Sequence, residues 1–110
     1  YEKSLPKDDF TLAELNLSLG IARVARKRYP AAIKNLQKAL FGYKIKFKNE
    51  HKDVAQILDA LGLALSANGE REKAVSILQQ SLLMRRKLLG NDHPSTIATQ
   101  KNLSLIEASL

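Results

Sequence analysis

The sequence has no cysteine and no tryptophan, and aromatic residues make up only 5% of its 110 residues. The lack of cysteine excludes disulfides and thiolate metal sites and fits an intracellular protein, so we expect a cytoplasmic location. Hydrophobic residues still reach 45%, which argues against simple disorder. Because aromatic side chains are scarce, the core must be built from leucine, isoleucine, valine and alanine.

Long hydrophobic runs are absent as well. No window approaches the roughly 18 apolar residues that a membrane-spanning helix needs, so no membrane span is expected. The first ten residues, YEKSLPKDDF, lack the apolar core of a signal peptide. Proline occurs only at positions 6, 30 and 94. The proline-free stretches between these positions are rich in leucine and alanine, which favours helices.

Acidic residues are outnumbered, eleven against eighteen lysines and arginines, and the net charge is +7. Such a balance suits nucleic acid, an acidic membrane surface or an acidic protein partner. RNA binding would need aromatic side chains to stack on bases, and they are few and scattered. We therefore predict that basic residues such as Arg85, Arg86 and Lys87 form a solvated outer surface, and we expect no nucleic-acid partner.

A period of 42 residues runs through the chain. The tripeptide Asn-Glu-His at 49–51 matches Asn-Asp-His at 91–93. The same offset relates five further pairs: Leu19 and Leu61, Gly20 and Gly62, Ala32 and Ala74, Leu36 and Leu78, Leu40 and Leu82. Continuous self-similarity of this kind indicates an array of units, each too small to bury its own apolar faces.

Apolar residues at helical spacing predict two helices in each unit and a fifth helix after them. Thr11, Asp53 and Ser95 are 42 residues apart and are predicted to be N-caps. Small residues at fixed points would let paired helices approach closely. We predict one array with these parts: the end of an upstream repeat and a linker at 1–10, repeat 1 at 11–52, repeat 2 at 53–94, and the first helix of repeat 3 at 95–110.

This spacing resembles the tetratricopeptide repeat, in which a Leu-Gly pair precedes a small, an apolar and a small residue. The pattern is met by Leu19, Gly20, Ala32, Leu36 and Ala39, and again by Leu61, Gly62, Ala74, Leu78 and Ser81. The linker LGNDHP and the 42-residue period resemble the kinesin light chain type. The resemblance implies an all-α fold, an antiparallel helix-hairpin solenoid forming a right-handed superhelix. Since Lys27 replaces the turn glycine of the family, we expect an atypical turn in the first hairpin.

The resemblance also implies a binding surface, because arrays of this family bind proteins and peptides in a groove lined by the first helix of each repeat. The predicted partner-binding groove consists of Glu14, Leu17, Ser18, Ile21, Val24, Gln56, Asp59, Ala60, Leu63, Ser66, Lys101, Asn102 and Leu105. In an alternative interpretation, the aliphatic members of this set only pack between repeats.

His51, His93 and the neighbouring Asp92 are the residues most suggestive of chemistry. Two imidazoles on one metal ion must each lie ~2 Å from it, whereas equivalent positions of stacked hairpins are roughly 10 Å apart. No nucleophile recurs beside Asp92 and His93, and no glycine-rich phosphate loop or His-Glu-x-x-His sequence is present. We therefore predict no catalytic residue, no metal, no cofactor and no enzymatic activity.

Together these observations predict a non-catalytic adaptor or scaffold, as in cargo adaptors of the kinesin light chain type, that binds a protein or peptide ligand, acidic ligands included. Two alternatives remain. One is a structural or regulatory array in a larger protein, which contacts neighbouring repeats of its own chain or self-associates through truncated ends. The other, less favoured, is RNA binding.

Overall fold

The computed structural model describes residues 9–48 and 50–110. The described residues form five helices, namely α1 (Asp9–Ala25), α2 (Tyr29–Phe47), α3 (Lys52–Ala67), α4 (Arg71–Leu89) and α5 (Pro94–Ala108). They contain no β-strand, so the prediction of an all-α fold is confirmed. The predicted end of an upstream repeat at 1–10 lies outside the described residues, except for its last two positions, which begin α1.

Each helix packs mainly on its neighbours in the chain. α1 packs on α2 and α3 packs on α4, which gives two hairpins, while α2 on α3 and α4 on α5 join the hairpins into a stack. The turn within each hairpin is only three residues long, at 26–28 and 68–70, so paired helices are antiparallel. The stack is elongated, about 50 × 30 × 18 Å. The prediction of a helix-hairpin array is confirmed.

Two glycines set the distance between the helices of each hairpin. A Cβ added at Gly20 would lie 2.8 Å from the side chain of Leu36, and one at Gly62 would lie 2.6 Å from Cγ of Leu78. Carbon atoms that are not bonded pack at about 3.5–4.0 Å, so a side chain at either glycine would push the helices apart. The close approach leaves Leu36 and Leu78 fully buried. The prediction that small residues let paired helices meet is confirmed.

The core is aliphatic, as the composition requires. Tyr43 is the only aromatic residue among the buried hydrophobic residues of the described ranges. Its ring centroid lies 4.8 Å from that of Phe10 and 6.0 Å from that of Phe47. Burial raises the pKa of the Tyr43 phenol, and the carboxylates of Glu14 and Asp53 raise it further. The phenol therefore stays neutral in this cluster at neutral pH.

Histidines cap the helices that begin the second and third repeats. α3 begins directly after His51 and α5 directly after His93. Each imidazole Nδ1 accepts a hydrogen bond from a backbone N–H two residues later, at 3.0 Å from Asp53 and 3.1 Å from Ser95. The backbone of both histidines is extended, which aims each ring at the first helical turn. The predicted N-caps are therefore wrong: Asp53 and Ser95 donate from their backbone, and Thr11 lies inside α1.

Replacing His93 tests this capping role. We expect His93→Ala to lower the free energy of unfolding by about 1 kcal/mol, because the N–H of Ser95 loses its acceptor. His93→Asn should keep most of the stability, since asparagine is a favourable N-cap. Urea unfolding followed by circular dichroism measures both changes, with Asp92→Ala at the exposed neighbouring position as the control. Equal losses for His93→Ala and His93→Asn would contradict the capping role.

The turn of the first hairpin has the same backbone as that of the second, although a lysine replaces its glycine. Lys27 has a φ of 61° where Gly69 has 88°, and a hydrogen bond of 2.8 Å between residues five apart closes both turns. The expectation of an atypical turn is therefore wrong. Lys48 likewise has a φ of 63° at the position of Gly90, which has 91°. A positive φ is unfavourable for a residue with a Cβ, so both lysines strain the first repeat.

This strain should be relieved by glycine. We expect Lys27→Gly to raise the free energy of unfolding by roughly 1 kcal/mol, and Gly69→Ala to lower it by a similar amount. Nothing lies within 4 Å of a Cβ added at Gly69, so that loss would come from the backbone alone. Lys27→Ala keeps the Cβ and serves as the control in thermal and urea unfolding. A Lys27→Gly variant no more stable than Lys27→Ala would show that the turn is unstrained.

Candidate functional site

The predicted groove residues lie on α1, α3 and α5, the first helices of the repeats, and none of them is buried. Seven are exposed, namely Glu14, Ser18, Ile21, Gln56, Leu63, Lys101 and Leu105. Six are half-buried, namely Leu17, Val24, Asp59, Ala60, Ser66 and Asn102. All positions therefore lie at or near the surface, but their contacts differ.

An aliphatic side chain is exposed at the same position of three first helices. Ile21, Leu63 and Leu105 are 42 residues apart, and their exposed fractions are 48%, 42% and 65%. A single exposed leucine is ordinary in a protein. A repeated row on successive elements of an array, however, offers apolar anchor points to a ligand. Since these side chains remain exposed, packing between repeats does not account for them.

Three other aliphatic members of the predicted set pack inward. Leu17 contacts both clusters of the core, one between α1, α2 and α3 and the other spanning α2 to α5. Val24 and Ala60 contact the second of these clusters. For these three residues, the alternative interpretation of packing between helices describes the observed contacts.

Asp59, also predicted to line the groove, is held by side chains of two other helices. The hydroxyl of Ser81 donates to its Oδ1 at 2.6 Å, and Nε of Arg85 donates to its Oδ2 at 2.9 Å. Nη2 of Arg85 lies 2.6 Å from the same Oδ2. The hydroxyl of Thr99 on α5 lies 3.1 Å from both carboxylate oxygens. The carboxylate therefore joins α3, α4 and α5 within the protein.

Arg85 does not belong to the solvated outer surface, so that expectation is wrong. Its side chain is only 11% exposed, because it follows Ser81 by one helical turn and lies on the face of α4 that meets α3. Arg86 and Lys87 are exposed, as expected. Lys87 forms an ion pair of 2.7 Å with Glu50 between two largely exposed side chains.

The contribution of Asp59 can be measured against that of the exposed pair. We expect Asp59→Ala to lower the free energy of unfolding by about 2 kcal/mol, because the half-buried Arg85 loses its carboxylate and two hydroxyls lose an acceptor. Glu50→Ala, which breaks the exposed pair with Lys87, should cost less than about 1 kcal/mol. Urea unfolding of both variants at the same ionic strength gives the comparison, and equal losses would contradict a structural role for the Asp59 network.

A second polar network lies inside the first hairpin. Nδ2 of Asn35 donates to Oδ1 of Asn16 at 2.8 Å, and Nη1 of Arg23 donates to Oδ1 of Asn35 at 2.6 Å. The equivalent positions of the second repeat, 77, 58 and 65, hold isoleucine and two leucines. Sequence reasoning predicted neither network. For this one a signal was present, since polar residues replace aliphatic ones at an offset of 42.

The residues that suggested chemistry have local structural roles. Nδ1 of each histidine caps its own helix, and the His51 ring stacks on Phe47 with centroids 4.0 Å apart. Within residues 9–48 and 50–110, no group of three His, Cys, Asp or Glu side chains is placed to hold a metal ion. None of the helices in these ranges combines the length and hydrophobicity needed to cross a bilayer.

Surface cavities occur away from the predicted groove. One of about 520 Å³ lies between α1 and α2, with Leu12, Phe41 and Ile45 among its walls. Another of about 700 Å³ lies beside α4 and includes Leu83 and Lys87. Neither is lined by a predicted groove residue, so the first-helix surface is an open surface rather than an enclosed pocket.

Comparison with known protein families matches residues 54–95 to the tetratricopeptide repeat. The match begins inside α3, includes all of α4 and ends in the first turn of α5. A search of curated proteins found no match. Repeats of this family are generally protein–protein interaction modules without catalytic activity. The chain therefore contains a tetratricopeptide repeat, formed by the hairpin of α3 and α4 and the linker that follows it.

Proposed function

We propose that this chain is a non-catalytic interaction module that binds a peptide or partner domain on its first-helix surface. We define this surface as the row of Ile21, Leu63 and Leu105 with the exposed residues beside it on α1, α3 and α5. The exposure of these three aliphatic side chains at one repeated position carries the proposal. The tetratricopeptide repeat in the second hairpin supports a protein rather than a small molecule as the ligand.

The spacing of the row restricts the shape of the ligand. Helices in contact lie roughly 10 Å apart. A polyproline II peptide advances about 9 Å in three residues, and an α-helix about 10 Å in seven. A ligand with aliphatic residues at every third position of an extended segment, or at every seventh position of a helix, would therefore present one anchor to each repeat.

Charged residues at the two ends of the row give the ligand a direction. Glu14 is exposed on α1 and Lys101 is exposed on α5, with the neutral Gln56 on α3 between them. A basic ligand residue would be attracted to the α1 end and an acidic residue to the α5 end. The carboxylate of Asp59 is already bound inside the protein, so it would position α5 rather than contact the ligand.

On the scale of the whole protein, we place this module in an adaptor or scaffold of the kinesin light chain type. Its repeats would be 11–52 and 53–94, followed by a half repeat at 95–110. The linker LGNDHP at 89–94 supports the subtype. The linker also has a clear structural role, since Gly90 takes a positive φ and His93 caps the helix that Pro94 begins.

Selection of random peptides by phage display provides a ligand for testing the surface. We expect the chosen peptide to bind Leu63→Asp at least about tenfold more weakly, because the new carboxylate would lose water against an apolar anchor. Leu83→Asp makes the same change at a leucine of α4 that is 66% exposed, and it should bind as the unaltered chain does. Fluorescence anisotropy with the labelled peptide measures both affinities.

Other outcomes would direct the function elsewhere. If Leu63→Asp and Leu83→Asp bound the peptide equally well, the first-helix surface would not be the binding site. A concentration-dependent oligomer that Leu63→Asp disrupts, seen by light scattering, would favour a self-associating structural array. Binding of RNA with a steep salt dependence would favour the nucleic-acid alternative.

A further inference from the structure

The two ends of the stack expose different chemistry. Leu12, Leu15 and Leu19 on α1 are 57%, 54% and 37% exposed. The residues 42 positions later, at 54, 57 and 61 on α3, are at most 2% exposed, because α2 packs against α3. On α5, by contrast, the positions equivalent to those of α3 that meet α4 hold Ile97, Gln100, Ser104 and Glu107. The apolar end is therefore the α1 end.

This end carries a cavity at the place where a helix packs in the next repeat. The cavity of about 520 Å³ is bounded by Leu12 of α1 and by Phe41 and Ile45 of α2. Phe41 and Ile45 are 70% and 64% exposed. We call Leu12, Leu15, Leu19, Phe41 and Ile45 the outer face. Because α2 covers the equivalent α3 residues one repeat later, the outer face has the form of a bed for one helix.

The rim of the cavity is basic. Lys34 and Lys38 line it, and no carboxylate does. Both lysines are exposed, and neither donates a hydrogen bond or forms an ion pair within the described part of the chain. Their equivalents in the second repeat, Ser76 and Gln80, are neutral. The two positive charges therefore occur at the repeat whose helix bed is open.

We propose that the outer face binds an acidic amphipathic helix of a partner protein. The apolar side of that helix would cover Leu12, Phe41 and Ile45, and carboxylates on its flank would pair with Lys34 and Lys38. This site lies at the end of the stack and does not include the row of Ile21, Leu63 and Leu105. It therefore stands or fails independently of the first-helix surface.

A second copy of this chain does not meet these requirements. α2 contains four lysines and no acidic residue, so two outer faces brought together would place lysine against lysine. The α5 end of a second copy offers the polar row of Gln100, Ser104 and Glu107 instead of an apolar stripe. An acidic helix satisfies both the apolar bed and its charged rim.

Two synthetic helices of 18 residues test the proposal directly. Both carry leucines on one face, and one has glutamates on the flanks where the other has lysines. We expect the labelled glutamate helix to bind the chain at least about tenfold more tightly in fluorescence anisotropy, because its charges complement the rim. Lys34→Glu with Lys38→Glu should invert that preference. The matched control, Arg26→Glu with Arg28→Glu, makes the same charge change at exposed residues of the α1–α2 turn and should not.

The apolar bed is tested by a second matched pair. Phe41→Ala should weaken binding of the glutamate helix by about tenfold, since the phenylalanine loses its buried area in the complex. Leu83→Ala changes the equivalent residue of the second repeat and should leave binding unchanged. Leu63→Asp should also leave it unchanged, which separates this site from the first-helix surface. Because Phe41 and Leu83 are both largely exposed, neither change should unfold the chain.

Three results would overturn the proposal. One is equal affinity for the two helices, or an unchanged preference after reversal of Lys34 and Lys38. The second is a dimer in sedimentation that Phe41→Ala disrupts, which would identify a second copy as the occupant. The third is a large gain in affinity on deleting residues 1–8, which would show that this segment of the chain occupies the outer face.

Discussion

The close contact between a glycine of one helix and a leucine of the next is the interaction on which the rest of the structure depends. At Gly20 and Gly62 the absence of a Cβ lets Leu36 and Leu78 enter between the paired helices, where they are fully buried. Burial of each leucine contributes roughly 2 kcal/mol. The contact also sets the distance at which every hairpin closes. A hairpin of this kind keeps a second apolar face, which only a neighbouring element can cover.

The repeats share this backbone but differ in what joins them. The contact of α2 with α3 is aliphatic and aromatic, around Tyr43 and Val54, whereas Asp59 connects α3 and α4 to α5 through hydrogen bonds. A hydrogen-bonded carboxylate specifies the position of α5 more narrowly than aliphatic packing would, because a shift of the helix would leave the charge of Asp59 or Arg85 unpaired. The polar network therefore fixes α5, and with it the last member of the exposed row.

Both candidate surfaces follow from apolar groups that the stacking does not cover. The row of Ile21, Leu63 and Leu105 arises because one position of the first helix contacts neither its own partner helix nor the next repeat. The outer face arises because α1 lacks the helix that α2 provides for α3. One surface is a repeated row with a charge at each end, and the other is a single bed with a basic rim, so the two suit ligands of different chemistry.

The sequence alone determined the helices, their pairing into hairpins and the places of close approach, because each depends on residue spacing that recurs at 42. It also placed the candidate site on the first helices, since Ile21, Leu63 and Leu105 share one position of the period. Only the tertiary structure decided which residues of that site are free. Asp59 meets partners 22, 26 and 40 residues away in the chain, and no local pattern reveals such contacts. The histidine caps were likewise hidden, because they depend on an extended backbone that turns the ring toward the helix.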